Sequence, residues 1–393
     1  MERWKSGKVE NKLSTFPLIY NVMMTPYYLI DEGRLEKNLK LLASVRRRAG
    51  VKILLAQKAF SCFDMYPLVA RHLDGTTASG LFEARLAHEE MPERENHVFN
   101  PAFTEWEMPE LVKWCDHIVF NSVAQWKRFR RFPGLPSAGL RVNHGYSEIE
   151  HDIYNPCVAG SRLGVPRKFI RAKDLDGLDG LHFHTMCEQG ADVLVRTLQR
   201  FEDQFGEFLP RMKWVNFGGG HHITKPGYDV ELLVRTLKSF RRRHPNLEVY
   251  LEPGEAIALN AGTLVSTVRE VIDYGVPIAI LDASAECHTP DVIAMPYRPP
   301  IKGAAEPGRK RYTYRLGGPT CLAGDVFGDY SFSRPLKAGS KVVMEDMAIY
   351  SMVKNNTFNG IPLPSIAVRR KSGKVELLRR FDYQDFKGRL GRK

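Results

Sequence analysis

The chain is poor in cysteine, and its cysteines are scattered. The 393 residues include six of them, with no CxxC pair. This excludes the spacing of a zinc ribbon and the dense framework of a small disulfide-rich secreted domain. We therefore expect a protein of the reducing cytoplasm. The six residues are Cys62, Cys115, Cys157, Cys187, Cys287 and Cys321.

Long hydrophobic runs are also missing. No stretch of about 18 or more apolar residues occurs, and residues 1–24 mix charged and polar residues where a signal peptide needs an apolar segment. We expect neither membrane spanning nor secretion. The chain also lacks low-complexity segments, and 43% of its residues are hydrophobic, as in an ordinary globular protein.

Acidic residues are the minority among the charges, with 45 against 57 basic residues and a net charge of +12. Such an excess suggests nucleic acid as a partner. However, the basic clusters at 46–48, 127–131 and 241–244 lie within or beside predicted amphipathic helices, whose solvated faces explain them. We expect no nucleic-acid binding, although the positive field could attract anionic small molecules.

Between residues 50 and 260, short apolar strands alternate with amphipathic helices, which is typical of repeated βα units. Eight strands and six helices in this region favour a (β/α)8 barrel, and an open doubly wound sheet is the alternative. The segment 146–169 is rich in Pro and Gly and is predicted to be a long active-site loop. The predicted strands are 51–57, 75–79, 96–100, 117–121, 140–143, 180–184, 213–217 and 247–251, and the predicted helices are 64–73, 81–90, 105–115, 123–131, 191–205 and 230–243.

Beyond residue 262 the pattern changes to β-rich stretches broken by Gly and Pro. We predict an α/β protein with two domains. Residues 33–262 would form the barrel, and residues 1–32 together with 263–393 would form a second, mostly antiparallel β domain.

The ends of the predicted barrel strands carry the residues with chemical potential. Lys58 closes the first strand, where it is either a surface lysine or a desolvated amine nucleophile. His182 and His184 share one face at the sixth strand. They are strand-end histidines, stackers for an aromatic ring, or metal ligands together with Cys187.

The seventh and eighth strands add a glycine run and two carboxylates. Gly218, Gly219 and Gly220 form either a tight turn or a loop that approaches a phosphate. Glu252 could accept a hydrogen bond from a protonated pyridine nitrogen, and ordinary salt bridging is the alternative for Glu252 and Glu255. An amine, a planar stacker, a phosphate loop and a carboxylate are together what a pyridoxal 5'-phosphate (PLP) site requires.

These motifs resemble those of the alanine racemase-like (fold type III) PLP-dependent decarboxylases, the group that includes the ornithine, arginine and diaminopimelate decarboxylases. The resemblance covers nearly the whole chain, from TPYYLID to TFNG, and includes LLAQKAF, FGGGHH, LEPGE and MAIYSM. Within the group, HFHTMCEQ, DASAECHTPDV and GGPTCLAGD look most like the carboxynorspermidine/carboxyspermidine decarboxylases.

The resemblance implies a homodimer with two shared sites and a role for each matching residue. Lys58 would be the Schiff-base lysine, His184 the ring stacker and Glu252 the partner of the pyridine nitrogen. The loop 218–220, Gly254 and Tyr350 would bind the cofactor, mainly its phosphate. Cys321 and Asp325 would reach the site of the neighbouring subunit, with Cys321 helping to protonate the product.

Two departures from the family pattern bear on the substrate. Glu255 stands where related decarboxylases usually have Arg after EPG, and Cys187 stands where they often have a phosphate-binding Ser. A carboxylate suits a cation, so Glu255, Asp291 and Asp325 are candidates for binding a carboxylated polyamine. We expect no metal.

Three other functions remain open at this point. The chain could be another fold type III decarboxylase, of the diaminopimelate or ornithine type, or a PLP-binding regulator without catalysis. It could also be a metal-dependent barrel hydrolase using His182, His184 and His222.

Overall fold

The computed structural model describes residues 23–391. Its strands are β1 (Tyr27–Asp31), β2 (Lys52–Ala56), β3 (Gly75–Ala78), β4 (Glu95–Phe99), β5 (His117–Phe120), β6 (Ser137–Asn143), β7 (Val165–Pro166), β8 (Gly180–His182), β9 (Trp214–Asn216), β10 (Glu248–Leu251), β11 (Gly262–Asp273), β12 (Pro277–Leu281), β13 (Tyr312–Gly317), β14 (Val326–Phe332), β15 (Lys341–Glu345), β16 (Ser365–Arg369) and β17 (Val375–Arg379). Its α-helices are α1 (Glu32–Ala49), α2 (Tyr66–Ala70), α3 (Leu81–Glu90), α4 (Met108–Trp114), α5 (Val123–Phe129), α6 (Ala191–Phe205), α7 (Val230–Arg243), α8 (Glu255–Ala258), α9 (Ala285–His288), α10 (Asp291–Ala294), α11 (Ser351–Lys354) and α12 (Tyr383–Gly388).

Eight parallel strands close into a barrel in the order β5-β4-β3-β2-β10-β9-β8-β6, and pairing of β5 with β6 completes the ring. This confirms the predicted (β/α)8 barrel and excludes the open sheet. Every predicted barrel strand overlaps one of these eight. The region 146–169 contains only 3-10 turns and the two-residue strand β7, as expected of a long loop.

Helix caps and packing explain where the basic clusters lie. Asp31 caps α1 by accepting a hydrogen bond from the Arg34 amide, and Gly50 ends the helix in a left-handed conformation. The clusters 46–48 and 241–243 occupy the last turns of α1 and α7, where cations interact favourably with the helix dipole. The position of these two helices on the outside of the barrel therefore explains why both clusters are basic.

Ionisable groups inside the barrel fill its floor, at the amino ends of the strands. Lys52 forms ion pairs with Glu95 and with Glu248, and His97 stacks on His117 with ring centroids 4.0 Å apart. Burial lowers the pKa of His117 to about 2, so this ring is neutral. The floor is thus closed by paired charges and stacked rings.

The second domain is a sheet of eight strands in the order β14-β13-β12-β11-β1-β16-β17, with β15 paired to β11. Most of its pairings are antiparallel, and β1–β16 and β12–β13 are parallel. The predicted boundaries near 32 and 262 adjoin β1 and β11, which pair directly. Residues 1–22 and 392–393, which the prediction assigned to this domain, lie outside the described residues. None of the described helices is long and apolar enough to cross a membrane.

Candidate active site

A narrow pocket lies at the carboxyl ends of the barrel strands. Catalytic residues of such barrels come from this end. Residues predicted from the ends of β2, β8, β9 and β10 meet in this pocket, together with Tyr350 from the second domain. The wall consists of Lys58, His184, Met186, Cys187, Glu188, Gly219, Gly220, His221, His222, Glu252, Gly254, Glu255, Ala256 and Tyr350.

Lys58 reaches the pocket from the turn that follows β2. Its side chain is accessible through the pocket, while the barrel wall surrounds it on the other sides. This desolvation lowers the pKa of Lys58, and the nearby Arg141 lowers it further. Gly254 allows the close approach, because a Cβ there would lie 2.7 Å from the Cβ of Ala59. The position suits an amine nucleophile.

Glu252 is a buried carboxylate held by two neighbours. Nδ2 of Asn216 donates to its Oε1 over 2.7 Å, and Nε2 of His182 lies 3.3 Å from its Oε2. Burial raises the pKa of Glu252, but His182 and Asn216 outweigh burial and hold the pKa below its usual value. Glu252 therefore presents a fixed negative charge to the pocket.

The ring of His184 is oriented by the glycine loop. The amide of Gly219 donates to Nδ1 of His184 over 2.8 Å. Nδ1 is thus an acceptor, which fits the pKa of His184, kept well below its ordinary value by burial and the nearby Lys58. A neutral imidazole of fixed orientation can stack on a flat ring.

The glycine loop differs from the predicted phosphate cradle in two of its three residues. The amide of Gly218 donates to Oδ1 of Asn216 and that of Gly219 to His184, so neither N–H is free for a phosphate. Close packing requires glycine at both positions. A Cβ at Gly218 would lie 2.5 Å from the carbonyl oxygen of Phe183, and a Cβ at Gly219 would strike the carbonyl oxygen of Glu252. Gly219, Gly220 and Gly254 nevertheless line the pocket.

Two residues of the pocket wall have strained backbone conformations. Among the described residues, five other than glycine have a positive φ: Glu188, Asn260, Asp346, Tyr350 and Asn359. Glu188 and Tyr350 line the pocket, and Asp346 accepts a hydrogen bond from the amide of Asn260 beside it. Such conformations cost about 1–3 kcal/mol each and persist at functional sites where the surroundings enforce them.

The predicted substrate carboxylates occupy different surroundings. Glu255 lines the pocket, and burial raises its pKa to about 8, with Glu188 and Asp346 adding to the rise. Asp291 does not line the pocket and forms an ion pair with Lys354.

Asp325 is buried and its carboxylate is fully engaged. Oδ1 accepts from the amides of Ala285 and Glu286 over 2.6 and 3.2 Å, and Oδ2 accepts from the amide and hydroxyl of Thr320 over 3.1 and 2.7 Å. The Ser284 hydroxyl lies 3.0 Å from both oxygens. The predicted contact of Asp325 with substrate is therefore corrected, because no oxygen remains free for it.

Cys321 is exposed on the loop between β13 and β14, and its amide donates to Oδ1 of Asn359 over 2.7 Å. It does not line the pocket of its own chain.

Arg141, on β6, was missed at the sequence level. It is buried, donates to the carbonyl oxygen of His184 over 3.1 Å and lies over the ring of Phe99. Burial lowers its pKa to about 10. An arginine inside a strand normally points to solvent, and only the unusual LRVN strand, with a charge among apolar residues, hinted at it.

The alternative of a metal site at the mouth is not supported by the geometry. In the described range, the cluster whose potential ligand atoms lie within 4.8 Å of one another is Glu95, His97 and His117 at the barrel floor. There Lys52 already pairs with Glu95. At the mouth, His182 faces Glu252 and His184 accepts from Gly219.

Comparisons with known proteins identify the family of the chain. The family model described as "pyridoxal-dependent decarboxylase, C-terminal sheet domain" matches residues 20–348. The carboxynorspermidine/carboxyspermidine decarboxylase of Campylobacter jejuni is 43% identical over 94% of this chain and 99% of its own length. The carboxyaminopropylagmatine decarboxylase of Synechocystis is 42% identical over 93% of this chain and 95% of its own.

A crystal structure of the carboxynorspermidine decarboxylase of Campylobacter jejuni, complexed with norspermidine, superposes with a TM-score of 0.88 at 42% identity. The superposition covers 93% of this chain and 100% of the Campylobacter jejuni chain. Family model, relatives and fold therefore agree on one family. The chain belongs to the pyridoxal-dependent decarboxylase family, with PLP as its cofactor.

Proposed function

We propose that the enzyme decarboxylates carboxynorspermidine, carboxyspermidine or both, giving norspermidine and spermidine. The observation that carries the proposal is Glu255, a carboxylate in the pocket wall where the related amino-acid decarboxylases have Arg. The Campylobacter jejuni relative of that name spans nearly the whole chain.

A second candidate substrate is carboxyaminopropylagmatine. The Synechocystis relative that carries this activity in its name is 42% identical, within one percentage point of the Campylobacter jejuni protein. The two substrate types differ at the end distant from the carboxylate. That end is a guanidinium in carboxyaminopropylagmatine and an ammonium in carboxynorspermidine and carboxyspermidine. Both are cations that Glu255 can attract.

The residues of the pocket fit PLP. Lys58 would hold its aldehyde carbon, the ring of His184 would lie against its pyridine face, and Glu252 would accept a hydrogen bond from its ring nitrogen. Gly220, Gly254 and Tyr350 would surround its phosphate. When bound, PLP supplies an electron sink for the electron pair left on Cα after CO2 departs.

The chain's own groups prepare and complete this reaction. Desolvation around Lys58 favours its neutral amine, the nucleophilic form. The negative charge of Glu252 would favour a proton on the ring nitrogen of PLP, and the neutral His184 would add no positive charge beside the ring. A proton must then be delivered to Cα, and we assign that delivery to the thiol of Cys321.

We further propose that Cys321 acts across a homodimer. It is exposed on its own chain, outside the pocket, and Leu322 beside it is also exposed. Asp325 would hold the loop from below by binding the Thr320 amide. The six cysteines are free thiols, which suits the cytoplasm.

Lys58→Ala tests the assignment of the nucleophile. The variant should lose both the visible absorbance of the lysine–PLP adduct and CO2 release from carboxynorspermidine. Mixing inactive Lys58→Ala with inactive Cys321→Ala should restore activity, because a mixed dimer then contains one site with both residues intact. Undiminished turnover by Lys58→Ala would reject the mechanism, and no recovery on mixing would reject the shared site.

A further inference from the structure

The pocket wall contains two groups of polar residues, and the cofactor uses only one of them. Lys58, His184 and Glu252 belong to the cofactor group. The remaining polar wall includes Glu188, His222 and Glu255. Of these three, only Glu255 was a candidate site residue in the proposed function.

The loops after β8 and β9 bring Glu188 and His222 to the same rim. Gln189 donates its amide to the carbonyl oxygen of Gly220 over 3.0 Å, and the amide of His222 donates to the carbonyl oxygen of Gln189 over 3.2 Å. This short parallel bridge fixes Glu188 beside the glycine loop. Its φ of 52° is one that residues other than glycine rarely adopt.

His222 is buried without a hydrogen-bond partner. Its exposed fraction is 5%, and neither ring nitrogen has a partner within the described structure. Nε2 lies 3.6 Å from Oε1 of Glu255, too far for a hydrogen bond. Because a buried polar atom left unpaired costs about 1–3 kcal/mol, the vacant nitrogen points to a ligand that donates to it.

The charges around His222 show which kind of ligand fits. Burial lowers the pKa of His222 to about 4, and the nearby Lys225 contributes to the decrease, so the ring is neutral and can accept a hydrogen bond. In residues 23–391, no Lys or Arg nitrogen lies within 4.0 Å of the carboxylates of Glu188 or Glu255. In a chain with a net charge of +12, two carboxylates without such partners at one rim favour a bound cation.

We propose that Glu188, His222 and Glu255 form the subsite for the distal cationic nitrogen of the substrate. The inference rests on the proposed function and assigns two residues that it left without a role. The ligand group is a nitrogen cation with several N–H donors, either a primary ammonium or a guanidinium. Its positive charge favours the ionised form of Glu255, so that the two carboxylates balance it, and Nε2 of His222 accepts one of its hydrogens.

The test compares Glu188→Gln and His222→Leu with the wild-type holoenzyme. The substrates are carboxynorspermidine, carboxyspermidine, carboxyaminopropylagmatine and a carboxynorspermidine analogue whose terminal ammonium is replaced by a methyl group. For the preferred natural substrate, kcat/KM should fall about 10- to 100-fold in each variant, mainly through KM. For the methyl analogue it should fall less than about threefold.

Asp192→Asn is the matched control. Asp192 lies four residues beyond Glu188, is exposed and pairs with Arg196 over 2.8 Å. Removing its charge should leave kcat/KM unchanged. The absorbance of bound PLP verifies that each variant is folded and loaded, and His222→Gln, which retains an acceptor, should recover part of the lost KM.

The outcomes separate this subsite from the proposed function. If the wild type decarboxylates none of the three natural substrates, the proposed function fails and the subsite with it. If the wild type is active but both variants behave like Asp192→Asn, or lose as much on the methyl analogue, the subsite alone is overturned. A larger loss on carboxyaminopropylagmatine than on the other two would assign the guanidinium as its ligand, and the reverse would assign the ammonium.

Discussion

Replacing Asp325 with Asn should destabilise the protein although the two side chains have almost the same shape. The carboxylate accepts hydrogen bonds from the amides of Ala285 and Glu286, from the Ser284 hydroxyl, and from the amide and hydroxyl of Thr320. An Asn amide retains one acceptor oxygen and turns the other into a donor. Whichever way it is oriented, its NH2 group faces at least one backbone N–H.

The magnitude follows from the number of groups left unpaired. One or two backbone donors lose a charged acceptor, at about 1.5–3 kcal/mol for each hydrogen bond. The neutral amide is cheaper to bury than a carboxylate, and the hydroxyls can rotate to accept from it, which offsets part of the loss. We expect a net loss of about 3 kcal/mol in the free energy of unfolding, or roughly 3–4 °C in the melting midpoint of a chain of this length.

Thermal unfolding followed by circular dichroism measures this loss, with Asp329→Asn on the adjoining strand β14 as the control. Asp329 forms a half-exposed ion pair with Arg315, so its replacement should cost less than about 1 kcal/mol. If the two variants melt within about 1 °C of each other, the carboxylate does not hold the loop as argued. Because that loop carries Cys321, Asp325→Asn should also lower turnover.

Two further predictions concern the pocket. Gly219→Ala should abolish PLP binding, because its Cβ would strike the carbonyl oxygen of Glu252. The control Gly206→Ala should bind PLP normally, since no atom lies within 4 Å of the new Cβ. Equal PLP binding by both variants, measured by absorbance titration, would contradict this. The pKa of Glu255, raised from 4.5 to about 8 by burial, means that the folded protein retains a proton that the unfolded chain releases. The urea midpoint of the PLP-free protein should therefore decrease as the pH rises from about 5 to 8. In Glu255→Gln the part of this decrease that Glu255 causes should be absent. If the urea midpoints of both proteins depend on pH in the same way, the argument is refuted.

The barrel was predictable because each of its strands is a short apolar run between amphipathic helices. The predicted strand at 75–79 corresponds to β3 (Gly75–Ala78), and the helices α3, α6 and α7 match their predicted limits. The residues at the strand ends followed from this count, since all parallel strands of a barrel point their carboxyl ends to one mouth. Lys58, His184 and Glu252 meet there for that reason.

What the sequence did not indicate is how each polar group is occupied. The motif FGGGHH does not show that the amides of Gly218 and Gly219 donate hydrogen bonds to Asn216 and His184. Those bonds depend on how β8 and β9 lie side by side. The sequence likewise suggested that Asp325 is free to bind substrate. In the structure its carboxylate is enclosed by its own loop and by the start of α9. Arg141 was overlooked because a buried arginine is rare unless it is paired, and its partner is the carbonyl of a distant residue, His184.

The same distinction bears on Glu255 and Asp291, which the sequence treated as equivalent. Asp291 is paired with Lys354, so a cationic substrate would have to displace an ammonium that is already present. Glu255 lies beside His222, and burial raises its pKa, with the carboxylates of Glu188 and Asp346 adding to the rise. A substrate ammonium arriving there relieves an existing electrostatic cost, whereas at Asp291 it exchanges one ion pair for another. Selectivity for a polyamine should therefore depend on Glu255 far more than on Asp291.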